Sequence, residues 1–215
     1  MIPRKTLDAS THESRVKIIV IVGPTSSGKS ALAVRLARKF GGEIISADSR
    51  QVYKGLDIGS GKITKREMRG VPHHLLNIAN PRQIFTATQY QKLAKRAIED
   101  IAHRERLPII CGGAGFYIDA LLGRVSIPPV SPNPKLRRQL EKLDDRQLFR
   151  RLKKLDPRRA KNIDHHNRRR LIRAIEIARV LNTRCLIKCS TPSVAQNYNW
   201  LTLGIKLNAD KLKKK

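Results

Sequence analysis

Eight residues, Gly23-Pro24-Thr25-Ser26-Ser27-Gly28-Lys29-Ser30, satisfy the spacing G-x-x-x-x-G-K-[ST] at every required position. In such a turn the backbone N–H groups and the positive end of the following helix converge on one point, where a di- or triphosphate can exchange its water shell for protein donors. Lys29 supplies a point charge to the bridging and terminal oxygens. Ser30 offers a hydroxyl to a Mg²⁺ that shares those oxygens. Further along, Asp48-Ser49-Arg50-Gln51 sets a carboxylate among polar side chains. Farther still, Arg169, Arg170 and Arg173 recur with Glu176 as the one acid nearby. That pattern suits contact with a phosphate backbone.

These groups need elements to position them. Val16 to Val22 is nearly continuous in β-branched residues, as in a strand buried on both faces of a parallel sheet. Ala31 to Phe40 has helical periodicity and ends at Gly41-Gly42. Gly42 to Ser46 reads as a second strand. The carboxyl ends of parallel strands are where ligands gather, so Asp48 is expected beside the bound phosphates. Its competing role is to cap a helix starting at Ser49. Lys62 to Leu76, with Pro72-His73-His74, reads as a basic loop in which two adjacent histidines make a poor metal site. Thr86 or Thr88 then caps a crossover helix carrying Tyr90, Leu93, Ala94, Ala97, Ile98 and Ile101 on one face.

Leu107 to Cys111 is another short strand. Many nucleoside triphosphatases place a metal-binding Asp after such a strand, and here that place holds Gly112. This favours a transferase over a hydrolytic motor and leaves Asp48 as the nearest carboxylate. The run Gly112-Gly113-Ala114-Gly115 is expected to let a ligand approach the backbone. A helix over Phe116 to Leu122 follows, and Pro128-Pro129 with Pro132 and Pro134 marks a hinge. Beyond it, Lys135–Leu143, Arg146–Leu155 and Arg168–Leu181 are helical and basic. Arg184 to Asn199 is irregular, Trp200 to Ile205 is a last core strand, and a helix starts near Lys211.

The expected architecture is therefore an α/β, P-loop NTPase-like parallel sheet flanked by helices, with a small basic helical insertion. The sheet domain takes residues 16–124 and 198–215, the insertion takes 125–197, and 1–15 form a flexible lead-in. Lys+Arg 45 against Asp+Glu 17 gives a net charge of +28, and residues 135–215 alone hold 24 basic and 7 acidic residues. Such an excess points to a polyanionic partner. Three cysteines (Cys111, Cys185 and Cys189) form no disulfide framework and suit a reducing, cytoplasmic setting. No apolar run reaches the ~20 residues of a membrane span.

Five ordered motifs resemble those of the tRNA dimethylallyltransferases. They are the phosphate loop, Asp48 to Tyr53, Gly70-Val71-Pro72-His73-His74-Leu75, Gly112 to Tyr117, and Arg169 to Glu176. The resemblance covers roughly residues 16–210 and implies a donor, dimethylallyl diphosphate, and an acceptor, the N6 amine of the adenosine 3′ of a tRNA anticodon. It implies that Asp48 accepts the amine proton, that Gly23 to Ser30 hold the diphosphate with Mg²⁺ at Ser30, and that Ser49, Arg50 and Gln51 hold the extruded base. Ala114, Arg137, Arg169, Arg170, Leu171, Ile172 and Arg173 fall at tRNA-contacting positions, and the chain is expected to be a monomer. The family usually carries Thr or Ser in place of Ala114 and continues past Lys215. A tRNA-binding remnant without catalysis, a small P-loop kinase, and an enzyme that prenylates free adenine nucleotides are the competing functions.

Overall fold

The computed structural model describes residues 16–183 and 198–206. The lead-in 1–15, Cys185, Cys189 and the helix near Lys211 lie outside the described residues. The described chain divides into two compact units, residues 16–125 with 198–206, and residues 126–183.

The first unit is a five-stranded, wholly parallel sheet in the order β3-β2-β4-β1-β5. Its strands are β1 (Val16–Val22), β2 (Gly42–Ser46), β3 (His73–His74), β4 (Leu107–Gly112) and β5 (Tyr198–Gly204). Side chains alternate across the pleat, and both faces are covered. Ile18, Val20, Ile45 and Ile110 meet α3 (Ala87–His103) and α4 (Gly115–Leu121) on one face. Ile21, Ile44 and Ile109 meet α1 (Lys29–Phe40) on the other.

Two elements lie inside the stretch expected to be loop. The short helix α2 (Lys65–Met68) forms because Thr64 and Glu67 make a reciprocal capping box. β3 is only two residues long, too short for any periodicity to reveal. It is fastened by His74, whose Nε2 lies 2.7 Å from Glu43 Oε2, while Arg104 donates to the same oxygen at 2.8 Å. Of the two candidate caps for α3, Thr86 takes the place, because Gln89 answers it from N3.

The second unit packs α5 (Pro134–Leu140), α6 (Asp145–Leu155), α7 (Pro157–Asn162) and α8 (Arg168–Thr183) around Leu136, Leu140, Leu148, Leu152, Ala160, Leu171 and Ile175. The additional helix α7 arises because Asp156 both ends α6 and caps the next turn, with Pro157 at its first position. Among the described residues, no helix is long and apolar enough to cross a membrane.

Candidate active site

The phosphate loop leaves β1 and enters α1 two residues earlier than the periodicity predicts, at Lys29. Gly28 sits at φ +88°, a backbone conformation that L side chains rarely adopt. Gly23 is held against the chain after β5: a Cβ there would stand 2.9 Å from the Ile205 carbonyl oxygen, and the Ile205 N–H donates to Val22 at 2.8 Å. Pro24, Thr25 and Ser26 are exposed, and Ser30 is exposed on the first turn of α1. Ser27 is buried, and its Oγ has no hydrogen-bond partner among the described residues. An orphaned hydroxyl beneath the loop is a donor left over for a ligand. Lys29 Nζ folds over the loop and donates to the Pro24 carbonyl at 2.5 Å. Its charge reaches the end of β4, where burial pushes the Cys111 thiol up to about 11 and Lys29 works against that rise.

Asp48 follows β2 at the same edge, with β4 between it and β1. Ala47 extends the pairing past the end of β2, donating to Cys111 at 2.8 Å and accepting from Ala114 at 3.0 Å. Gly112 is required here for a reason other than ligand access. A Cβ at that position would stand 2.0 Å from the Ala47 oxygen, so the glycine admits a neighbouring strand's backbone.

No helix begins at Ser49. Asp48 Oδ1 instead accepts the backbone N–H groups of Arg50 (2.8 Å) and Gln51 (3.2 Å), which fixes the carboxylate. Among the described residues, nothing donates to Oδ2. The Tyr117 hydroxyl is held above its ordinary range by burial and by Tyr53 and Asp48 nearby. Ser49 and Arg50 are exposed. Gln51 is partly committed elsewhere, its Nε2 donating to Ser60 and Gly61 at 3.4 and 3.2 Å.

A small cavity of about 20 Å³ between the two motifs is lined by Ser30, Gln51, His73 and Cys111 among others. His73 is a site-lining residue that spacing alone did not single out. Burial lowers its pKa, and its Nδ1 lies 2.8 Å from the Val71 carbonyl, which leaves Nε2 as an acceptor. Ala114 is the N-cap of α4 and makes no side-chain capping bond. Among the described residues no cluster of His, Cys, Asp or Glu could hold a metal by itself. One exposed hydroxyl at Ser30 fits a hard cation that arrives on a phosphate and keeps most of its ligands from it.

In the second unit the arginines differ in what they touch. Arg169 and Arg170 are exposed and, with Arg159, Asn162, Ile163 and Arg173, line an open cavity of about 550 Å³. Arg137 and Arg173 face Glu176, whose side chain is 1 % exposed, at 2.8 and 3.3 Å. Arg173 also donates to Val130 at 2.6 Å. Burial alone would raise the Glu176 pKa, but hydrogen bonds from Arg137, the Asn133 N–H and Arg173 outweigh it and hold the carboxyl below its usual range. Arg137 and Arg173 thus have structural work, and the side chains of Leu171 and Ile172 are buried in the helical core.

A family model described as IPP transferase matches residues 51–215. A tRNA dimethylallyltransferase of Thermomicrobium roseum is 50% identical over 167 residues, covering 76% of this chain and 51% of that protein. That of Anoxybacillus flavithermus is 39% identical over 201 residues, covering 91% and 63%. Among solved structures, the full-length tRNA isopentenylpyrophosphate transferase of Bacillus halodurans superposes with a TM-score of 0.60 at 38% identity, over 92% of this chain and 62% of that one. A eukaryotic dimethylallyltransferase acting on tRNA gives a TM-score of 0.74 at 28% identity, over 93% and 50%. The chain spans about half the length of the first of these curated relatives. Its parallel sheet, phosphate loop and matched residues make this chain a member of the IPP transferase family.

Proposed function

We propose that this chain transfers a dimethylallyl group from dimethylallyl diphosphate to N6 of the adenosine 3′ of the anticodon in tRNA. The observation that carries the proposal is the shared sheet edge: the phosphate loop after β1 and the fixed carboxylate of Asp48 after β2 open on the same side. The adenosine amine attacks C1 of the allyl group, the C–O bond to the diphosphate breaks, and the amine proton passes to Asp48 Oδ2. An exocyclic amine is a weak nucleophile, because its lone pair is drawn into the ring, and an oriented carboxylate base answers that weakness. Loop amides, Lys29 and the free Ser27 hydroxyl stabilise charge on the departing diphosphate. Ser30 would hold Mg²⁺ together with the diphosphate oxygens, and that ion supplies further charge neutralisation when bound.

Ser49 and Arg50, both exposed beside Asp48, would grip the extruded base, while Gln51 braces the turn. Arg169 and Arg170 would contact the RNA backbone. The buried thiol Cys111 supports a reducing, cytoplasmic setting, and the chain would act as a monomer.

The test is incubation with dimethylallyl diphosphate, Mg²⁺ and unmodified tRNA bearing that adenosine, followed by mass spectrometry for one added C5 unit. Asp48→Asn keeps an oxygen for the Arg50 and Gln51 N–H groups but cannot take the proton. Its expected rate is lower by about a hundredfold or more, with tRNA affinity unchanged. Tight binding without product in the wild type would make the chain an RNA-binding remnant, and equal turnover by the variant would remove Asp48 from the mechanism.

A further inference from the structure

Between the Asp48 turn and α2 runs a loop, residues 54–62, that carries the most exposed large apolar side chain among the described residues. Ile58 is 99% exposed, and Leu56 is exposed as well. An isoleucine so placed is unfavourable in water, and a mobile loop would fold it inward. This loop is held in place. Lys62 has a side chain only 5% exposed, yet it donates to the Tyr53 carbonyl (2.8 Å), Asp57 Oδ1 (2.6 Å) and Asn77 Oδ1 (2.5 Å). Gln51 donates to Ser60 and Gly61 from the Asp48 side, the Ser60 hydroxyl bonds to the Leu56 carbonyl, and Lys54 N–H donates to Ala79 at 2.9 Å. A buried cation with three acceptors fixes the loop so that its tip stays out.

The surroundings indicate what the tip meets. Arg50, Lys54, Lys65, Arg66 and Arg69 are exposed on either side of it. The two acids in the segment are engaged, Asp57 with Lys62 and Glu67 with Thr64. An exposed apolar tip flanked along the chain by exposed cations complements a partner with an anionic backbone and flat apolar faces, which is a nucleic acid. The tie through Gln51 also couples this point to the turn that carries the base-accepting carboxylate.

We propose that Ile58 is a wedge that enters the base stack of the RNA substrate and fills the gap left by the extruded adenosine. The inference rests on the proposed transfer to an RNA base and deepens it by assigning the extrusion step. Unstacking a base is costly, and apolar side chains inserted between base steps are a recurrent way to offset that cost. Lys62 and Gln51 are then positioning residues for the wedge.

The experiment uses the full chain and an anticodon stem-loop with 2-aminopurine in place of the target adenosine, a base that brightens when it leaves the stack. Saturating wild type should raise the fluorescence, Ile58→Ser should give a rise smaller by about threefold or more, and Ile58→Leu should restore it. Transfer by Ile58→Ser should fall several-fold more on the adenosine stem-loop than on an unstructured oligonucleotide, where little unstacking is needed. Equal brightening by Ile58→Ser and wild type, or equal losses on both RNAs, would overturn the wedge. Wild-type brightening without C5 product would overturn the transfer and leave the wedge standing, whereas no binding of the stem-loop would overturn both.

Discussion

Asp48 shows how little of a residue's role lies in its identity. The same side chain could have capped a helix, and what decides its position is a turn in which one oxygen takes two backbone N–H groups and the other remains open. Ala114 is the complementary case. It heads α4 without a side-chain cap, beside the Ala47 bond that links β2 to the turn after β4. Replacing it with Ser supplies the missing acceptor for the first turn of α4. The expected gain is about 1 kcal/mol in denaturant unfolding, together with a faster transfer if the hydroxyl also meets the reacting groups. Gly112 gives the opposite result: a methyl group would collide with the Ala47 backbone, which cannot swing aside. Gly112→Ala should destabilise the chain by about 2–3 kcal/mol, and any folded remainder should lose transfer because Asp48 is displaced.

At the scale of elements, strands and helices were legible wherever pattern is local. The strand–loop–helix around Gly28, the crossover helix and the three basic helices follow from periodicity and caps, with ends shifted by a few residues. α2, α7 and β3 are too short to carry a period, and they depend on single caps or on an ion pair across the sheet. What spacing could not reveal is pairing at a distance. Arg137 and Glu176 are 39 residues apart, so an arginine that looks free for phosphate in the sequence is bound to a carboxylate in the fold. Glu176→Gln removes that carboxylate and leaves two half-buried guanidinium groups short of a partner. The expected cost is about 2 kcal/mol, read from the midpoint of helical unfolding.

The pH dependence follows in sign. Because the folded Glu176 carboxyl sits below the ordinary glutamate value of about 4.5, its contribution is complete above that pH. It is lost as the pH falls through the lower folded value, since the unfolded chain then binds the proton more readily. Acid unfolding of the wild type should therefore steepen below about pH 4.5, and Glu176→Gln should lack that component.

For the whole molecule, the net charge of +28 was the plainest signal in the sequence, and among the described residues the ion pairs to carboxylates take up a minority of the lysines and arginines. If the partner is RNA, affinity must be dominated by counterion release. Raising salt from about 50 to about 200 mM should weaken tRNA binding by about a thousandfold for some six phosphate contacts. Replacing exposed Arg169 or Arg170 with Ala should flatten the log–log slope by about one unit each. Arg137→Ala should leave the slope nearly unchanged and lower the unfolding midpoint instead.

The strand that completes the phosphate seat comes from the far end of the described chain. β1 hydrogen-bonds on one side to β4 and on the other to β5, and Gly23 presses on Ile205. As the polypeptide leaves the ribosome, β1 emerges early with one edge bare, and more than a hundred and fifty residues separate it from the segment that covers that edge. The cradle is thus closed only after β5 has been made, long after β1 and the phosphate loop have emerged. A nascent protein stalled before β5 has exited should present an open, strand-accepting edge to chaperones in place of a finished anion seat.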